Sequence, residues 1–435
     1  AKDTPGCLFI QKKNGQFERT NQKLFEADQI SEDVDCAFFD ADKDGDLDLY
    51  VNSGGNEFPS SSSALSDRLY FNDGKGRFIK SAQMLPAGKY ESTSCVSPAD
   101  FDKDGDIDLF VGCRLLPFSY GLPVDGYLLE NDGKGNFTDI TDSKASGLRK
   151  IGMITDMIWA DVDNDSDLDM VIVGDWMPVK IFMNDNGNFS DQSDQYGLSN
   201  TEGWWHTIIA KDLNGDGLVD FIMGNNGLNS FFKASVEQPV SMYVNDFDLN
   251  GSVEQIICSY NGDKSYPVAM KNDLVKQIPS LEAKYKTFTD FKDQTIENIF
   301  PPEVLDRSVK LNAKLLKSCI LMNSGKGKFT ITPLPLEAQY SPVYAIVADD
   351  FNHDGQCDIV IGGNQYKAKP ETGIYDASYG LFLKGKPDGS FQSIPAEESG
   401  ISIKGEIRDM KILDINKMHA IVFGINNGKF QFYKF

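Results

Sequence analysis

Nine-residue stretches with carboxylates at the first, third, fifth and ninth positions recur along this chain. The clearest are Asp40, Asp42, Asp44 and Asp48; Asp100, Asp102, Asp104 and Asp108; and Asp161, Asp163, Asp165 and Asp169. Three more replace one acid by an amide: Asp212, Asn214, Asp216 and Asp220; Asp246, Asp248, Asn250 and Glu254; Asp350, Asn352, Asp354 and Asp358. Oxygens at this spacing suit a hard cation, which takes about six to eight of them from a loop tight enough to converge them. The seventh position would add its backbone carbonyl, which brings Asp46, Asp106, Asp167, Leu218, Ser252 and Gln356 into the ligand set through the main chain. With no His or Cys in the set, Ca2+ is the expected ion, up to six of them. Mg2+ comes second because it demands stricter octahedral geometry and gives up its water reluctantly.

Glycine at the sixth position lets the loop turn; the third loop has Ser166 there, where a left-handed backbone costs about 1 kcal/mol. An EF-hand would need a glutamate at the twelfth position, which is Val51, Val111 and Ile172 in the first three loops. One such loop alone could be a run of Asx-turns without an ion, but six in register leave many carboxylates uncompensated and favour metal.

The runs flanking the loops are short and rich in Val, Ile, Phe and Tyr. Cys36 to Phe39 precedes the first loop, Leu49 to Val51 follows it, and Leu69 to Phe71, the turn Asn72 to Gly76, and Phe78 complete the unit. This predicts a small sheet of four antiparallel strands per unit. A seventh unit, Ile407 to Leu413 and Ala420 to Gly424, has no acidic loop. One small sheet cannot bury both of its faces, so the units predict an all-β, seven-bladed β-propeller of four-stranded antiparallel blades spanning 1–435 as a single domain. The short interval between Asp212 and Asp246 predicts a fourth blade without a full outer hairpin. Residues 264–315 predict a small helical insertion in blade five, ahead of its third strand. Residues 1–20 predict an outer-strand hairpin that completes the last blade and closes the ring.

With 40% hydrophobic and 11% aromatic residues the 435-residue chain can bury a sizeable core. Its net charge of −23 repels a phosphate backbone, so nucleic acid is not an expected partner. No apolar run is long enough for a transmembrane segment. A start at Ala1 without Met suggests a processed or excised segment. The seven cysteines show no C-x-x-C spacing and read as buried free thiols, which leaves the compartment open.

The D-x-D-x-D-G-x-x-D loop between two inner strands resembles the FG-GAP/VCBS repeat of the integrin α-subunit propeller, over essentially the whole chain. Ser31 to Asp35, Ser53 to Phe58, Gly203 to Trp205, Gln339 to Tyr344 and Tyr375 to Gly380 are similar to the C-terminal region of large VCBS-repeat proteins related to the ASPIC/UnbV and cartilage-acidic-protein group, common in Bacteroidota. That resemblance implies a Ca2+-stabilised propeller that binds partners. It also implies an extracellular or outer-surface-anchored location and a monomeric domain of a longer protein, with its signal and any lipidation site upstream. The seventh unit departs from the repeat, and no metal is carried over there.

Antiparallel topology puts the metal loops at one end of the sheets and the long irregular segments, Asn52 to Arg68, Gly112 to Gly126 and Gly362 to Tyr379, at the other. Phe118, Tyr120, Tyr366, Tyr375 and Tyr379 there, with Trp176, Trp204 and Trp205 on shorter connections, are the candidate ligand face, suited to a protein or polysaccharide partner. About half of such aromatics are expected to pack loops onto the scaffold instead. Trp159 reads as core. His206, His353 and His419 read as core or surface residues, no nucleophile elbow or P-loop is present, and no catalytic residue is assigned. The expected function is that of a calcium-stabilised binding module. A polysaccharide lyase or hydrolase on an FG-GAP-type propeller is the alternative.

Overall fold

The residue just before each acidic loop pairs with the loop's ninth: Phe39 with Asp48, Ala99 with Asp108, Ala160 with Asp169, Lys211 with Asp220, Asn245 with Glu254 and Asp349 with Asp358. Each loop is therefore the connection of an antiparallel hairpin, and its ninth carboxylate opens the departing strand. The computed structural model describes residues 4–435 apart from 21, 326, 370, 371, 416 and 417. The protein is all-β, with antiparallel sheets and a few short helices.

The first sheet runs in chain order through Glu32–Phe39, Asp48–Gly54, Arg68–Asn72 and Phe78–Lys80. The second repeats that order with Ser92–Ala99, Asp108–Leu115, Gly126–Asn131 and Phe137–Asp139. The third has Met153–Ala160, Asp169–Met177, Lys180–Asp185 and Asn188–Asp191, with the short strand Gly203–Trp204 added beside its second. Val343–Asp349, Asp358–Gly363, Leu381–Gly385 and Phe391–Ile394 form the fifth, and Ile407–Ile415, Met418–Ile425 and Gln431–Lys434 the three-stranded sixth.

Successive sheets stack through shared apolar cores. Tyr50 and Leu69 of the first meet Val111 and Tyr127 of the second, and Phe110 and Leu128 of the second meet Ile172 and Phe182 of the third. Val171 and Ile181 pack with Phe221 and Leu321, Ile222 with Ile359 and Leu383, and Val360 with Met410 and Ile421. Every residue of Asp48–Gly54 and Asp169–Met177 is buried, their polar members Asp48, Asn52, Ser53, Asp169 and Asp175 included; Asp169–Met177 lies between two neighbouring sheets, and Asp48–Gly54 has the second sheet on one side and Phe25 and Leu8 on the other. Glycine permits the closest approach: a Cβ on Gly112 would lie 2.7 Å from both Cys95 Sγ and Ile154 Cγ2.

The fourth and fifth units differ from the sequence expectation. The strand Cys319–Asn323, expected as the third strand of the fifth blade, pairs with Asp220–Gly224 of the fourth sheet, and Phe329–Pro333 follows it. With Thr207–Lys211 as its first strand, the fourth sheet is a complete four-stranded one. The segment carrying the fifth acidic loop is inserted between the second and third strands of that sheet. It forms a sheet of its own in the spatial order Lys264–Pro267, Glu254–Asn261, Val240–Asn245, Val309–Ala313. Five short helices from Lys271–Gln277 to Pro302–Asp306 lie between Lys264–Pro267 and Val309–Ala313 and bury Leu274, Ile278, Ile296 and Phe300 against Ile256 and Cys258. This inserted sheet packs on the third sheet through Val240, Met242 and Ala313 against Met153 and Trp176. The seven equal units thus become six sheets in succession and one inserted sheet.

The two strands expected to complete the last blade form a hairpin of their own. Leu8–Gln11 and Phe17–Thr20 pair with each other and, among the described residues, with no strand of the sixth sheet; residues 1–3 of the expected hairpin segment lie outside the described residues. Leu8 packs with Phe25, Leu49 and Tyr70 on the first sheet, and Gln11 Nε2 reaches the Asp414 carbonyl at 3.3 Å. Lys411 of the sixth sheet lies within electrostatic reach of Asp35 on the first. Val34 and Phe38 remain exposed on that side.

Candidate metal loops and ligand face

The loops owe their shape to side-chain hydrogen bonds to their own backbone. The first carboxylate accepts the sixth N–H in all six: Gly45 to Asp40, Gly105 to Asp100, Ser166 to Asp161, Gly217 to Asp212, Gly251 to Asp246 and Gly355 to Asp350, at 2.8–3.1 Å. The fifth side chain accepts the seventh N–H, as in Asp46 to Asp44 and Asp106 to Asp104. Such Asx-type bonds hold a chain reversal that demands left-handed backbone. Ser166 takes it at φ 77°, and so does the fourth residue, Lys43 at 61°, Lys103 at 63° and His353 at 59°. The glycine spacing revealed the sixth position; nothing in composition marked the fourth, which the loop tolerates as Lys, Asn, Gly, Leu or His.

The ninth carboxylate clamps the loop to its sheet. Asp48 accepts the N–H groups of Ala41 at 2.9 Å and Asn72 at 2.8 Å; Asp169 does so from Val162 and Asn184, and Asp220 from Leu213 and Asn323. One oxygen each of Asp40, Asp42 and Asp48 then lies within 4.8 Å of the others, as do those of Asp100, Asp102 and Asp108, of Asp161, Asp163 and Asp169, and of Asp246, Asp248 and Glu254. The fourth and sixth loops have Asn214 and Asn352 at the third position, so an amide stands where the third carboxylate would. The Asn214 amide donates to Asp216 and that of Asn352 to Asp358.

The fifth-position carboxylates, Asp44, Asp104 and Asp165, lie outside the converged groups and serve the turn. The seventh side chains point elsewhere again. Asp106 and Asp167 form ion pairs with Lys43 and Lys103, the fourth residues of the preceding loops, so each pair crosses from one sheet to the next.

These groups fit a hard divalent cation. Asp40 Oδ1, Asp42 Oδ1, Asp100 Oδ1, Asp108 Oδ2 and Asp248 Oδ1 are buried without a hydrogen-bond partner among the described residues. A buried anionic oxygen without a partner is costly, and a cation among several of them removes the cost. The ninth-position carboxylates show the cost of burial in their proton affinities. Burial, with the neighbouring Asp102, Asp104 and Asp100 charges, pushes Asp108 up to about 8 against the pull of the Asn131 N–H. Burial likewise raises Asp169 to about 7 and Asp48 to about 6.

The FG-GAP-like repeat family model matches residues 58–111 and 161–223, stretches that contain the loops beginning at Asp100, Asp161 and Asp212. The chain carries FG-GAP-like repeats. No curated protein matches it. Among solved structures, it is similar to an Agrocybe aegerita lectin described for specific recognition of non-reducing terminal N-acetylglucosamine. Identity is 14%, with 98% of this chain and 87% of that chain covered and a TM-score of 0.45. It is also similar to the V. cholerae biofilm matrix protein Bap1, at 10% identity over 90% of this chain and 74% of that chain, with a TM-score of 0.36.

At the opposite end from the FG-GAP-like loops, the candidate ligand-face aromatics divide. Phe118, Tyr366 and Tyr379 are exposed, Tyr120 and Trp204 half-buried. Trp205, Trp176 and Tyr375 are buried and belong to the scaffold. Trp205 lies in the core between the third and fourth sheets with its indole N–H on the Thr201 carbonyl at 2.9 Å. Trp176 donates to the Tyr120 hydroxyl at 3.2 Å, and Tyr375 pairs through its backbone with Gln365. The Phe118 N–H meets Asn56 Oδ1 at 2.5 Å, which ties the long segments of the first and second sheets together at this end. Among the described residues no helix is long and apolar enough to cross a membrane.

Proposed function

We propose that the protein is a calcium-stabilised propeller of six blades with one inserted sheet, acting outside the cell as a binding module for a protein or glycan partner. The observation that carries the calcium half is the convergence of three acidic side chains in each of four loops, three of which hold buried carboxylate oxygens without a partner among the described residues. Loops of this kind in extracellular modules work at the high calcium concentrations found there.

The binding half rests on the difference between the two ends. One end is consumed by clamped loops and inter-sheet ion pairs; the other carries long segments that leave Phe118, Tyr366 and Tyr379 exposed. Aromatic side chains there supply large contact area at low entropic cost. The calcium-loaded protein, screened against immobilised extracellular polysaccharides and surface proteins, should be retained by one class. Phe118→Ala, Tyr366→Ala and Tyr379→Ala should lower retention at least tenfold without changing the melting temperature. A partner whose contacts map to the turns Asn72 to Gly76 and Asn131 to Gly135 would place binding on the metal end and overturn the assignment.

A further inference from the structure

Five of the six successive sheets send polar side chains to one cluster at the end opposite the acidic loops. The second sheet contributes Arg114, whose Nε and Nη2 donate to Asp175 Oδ2 of the third at 3.0 and 2.7 Å. His206, just before the first strand of the fourth sheet, stacks on Tyr344 of the fifth with ring centroids 4.1 Å apart. Arg408 of the sixth covers the Tyr344 ring, its Cζ 4.2 Å from the centroid, and donates to Glu406 at 2.7 Å and to the Asn364 carbonyl at 2.8 Å. Asp175, Arg114 and Arg408 all lie within electrostatic reach of His206. In a radial stack of sheets, side chains from five successive sheets meet near the axis.

The backbone is shaped for this convergence. Pairing of the first two strands skips one residue between Val343 and Ala345 and one between Ile407 and Asp409, so Tyr344 and Arg408 are bulge residues. Arg114 is skipped likewise between Cys113 and Leu115. A bulge re-aims a side chain and is over-represented beside functional sites. Two neighbours, Trp176 at φ 61° and Asn364 at φ 86°, hold left-handed backbone, a strain that clusters at ligand sites.

Exposure then decides the sign of the ligand. The Arg114 and Arg408 side chains are 46% and 35% exposed, whereas their partners Asp175 and Glu406 are 5% and 8% exposed. The carboxylates stand behind the guanidiniums, so a molecule entering the axis meets cationic edges on a chain whose net charge is −23. His206 Nε2 and Trp204 Nε1 are buried without hydrogen-bond partners among the described residues. Trp205, between them, points into the core, so the two flanking side chains share the other side of the segment. They are unfilled hydrogen-bond positions beside the two cations, of the kind sugar hydroxyls fill.

We propose that Arg114, His206, Tyr344 and Arg408 form an axial site for the carboxylate-bearing end of an acidic saccharide, with the guanidinium forks on the carboxylate and His206 and Trp204 on ring hydroxyls. The proposal rests on the binding-module reading and names the ligand class for its axial part. It is tested by calorimetry on the full, calcium-loaded chain with a glucuronate-terminated disaccharide and with the methyl ester of the same compound. The acid is expected to bind and the ester to bind at least tenfold more weakly. Arg408→Met, which also takes the cation from the buried Glu406 and so lowers the melting temperature, should abolish that preference in protein that is still folded at the assay temperature, and Arg408→Lys, which keeps the charge and loses the fork, should retain part of it. If Arg408→Met fails to fold, the comparison of acid with ester on the natural protein still decides. Equal binding of acid and ester, or no binding of the acid to folded protein, overturns the site; a neutral glycan or protein found by the screen would then leave the binding-module reading standing. Cleavage of the disaccharide would keep the site and overturn the binding-module reading.

Discussion

The side-chain amide of Asn131 donates to the carbonyl oxygen of Ala41 at 2.9 Å, across the boundary between the first and second sheets. Ala41 is the second residue of the first acidic loop, and Asn131 begins the outer turn of the next sheet. The same contact recurs from Asn184 to Phe101 and from Asn323 to Val162, each at 2.9 Å. Asn131 also gives its N–H to Asp108 and accepts that of Gly135, so one buried residue joins its own loop, its own turn and the neighbouring loop. In the fifth sheet Gly385 holds the corresponding place, and Asp358 takes its N–H without any side chain to clasp the fourth loop.

Replacing Asn131 by Ala should therefore act on two sheets. It strands the Ala41 and Ile107 carbonyls and the Gly135 N–H in a buried setting, a loss of about 2–3 kcal/mol. Asn72→Ala is the control, since the Asn72 side chain serves its own sheet, donating to the Leu47 carbonyl and accepting the Asp73 and Gly76 N–H groups at more exposed positions, and should cost less, about 1 kcal/mol. Urea unfolding of both variants in calcium checks this; equal losses would mean that the inter-sheet contact contributes nothing.

Much of the scaffold could be read from local pattern. Acid spacing located the loops, and short β-rich runs located the strands on either side, because both signals lie within about ten residues of each other. The partner of Cys319–Asn323 could not be read this way. The turn Asn323-Ser324-Gly325 suits the fourth and the inserted sheet equally, and only the apolar match of Leu321 with Phe221 decides for the fourth. The adjacent Trp204 and Trp205 illustrate a second limit: opposite sides of one extended segment differ by a single residue, and composition does not say which side is inward. The axial cluster gave no signal, since Arg114, Tyr344 and Arg408 reach it through bulges that break the alternation.

Calcium removal should lower the melting temperature by on the order of 10 °C, because ions that bind only the folded loops stabilise by linkage and several loops act together. Ca2+ should restore it better than Mg2+. Asp102→Ala should lower the calcium stoichiometry by one while leaving partner binding unchanged. A melting curve identical in EDTA and in calcium would remove the metal from the fold.

Ser166→Gly should stabilise the third loop. Ser166 holds φ 77°, where a residue with a Cβ is disfavoured by about 1 kcal/mol, and its N–H bond to Asp161 is a backbone contact that glycine keeps. The expected gain is about 0.5–1 kcal/mol, lessened by the greater freedom of glycine in the unfolded chain. A loss of stability would show that the Ser166 side chain has a role of its own.

His206 should make stability fall in acid. Burial drops its pKa to about 4, against the attraction of Asp175 and with the repulsion of Arg114 and Arg408. The unfolded chain, with an ordinary histidine near 6.5, takes up a proton that the folded protein refuses, so unfolding gains protons over this interval. The contribution of neutral His206 is therefore complete above about 6.5 and is lost as pH falls toward about 4. His206→Gln has no such proton to take up. Urea midpoints measured in calcium at pH 7.5, 6 and 5 should fall more steeply for the natural protein than for the variant, with the difference between the two curves isolating His206 from the acidic loops common to both. Parallel curves would mean that His206 titrates alike in the folded and unfolded chains, with its ring open to water instead of buried against Tyr344.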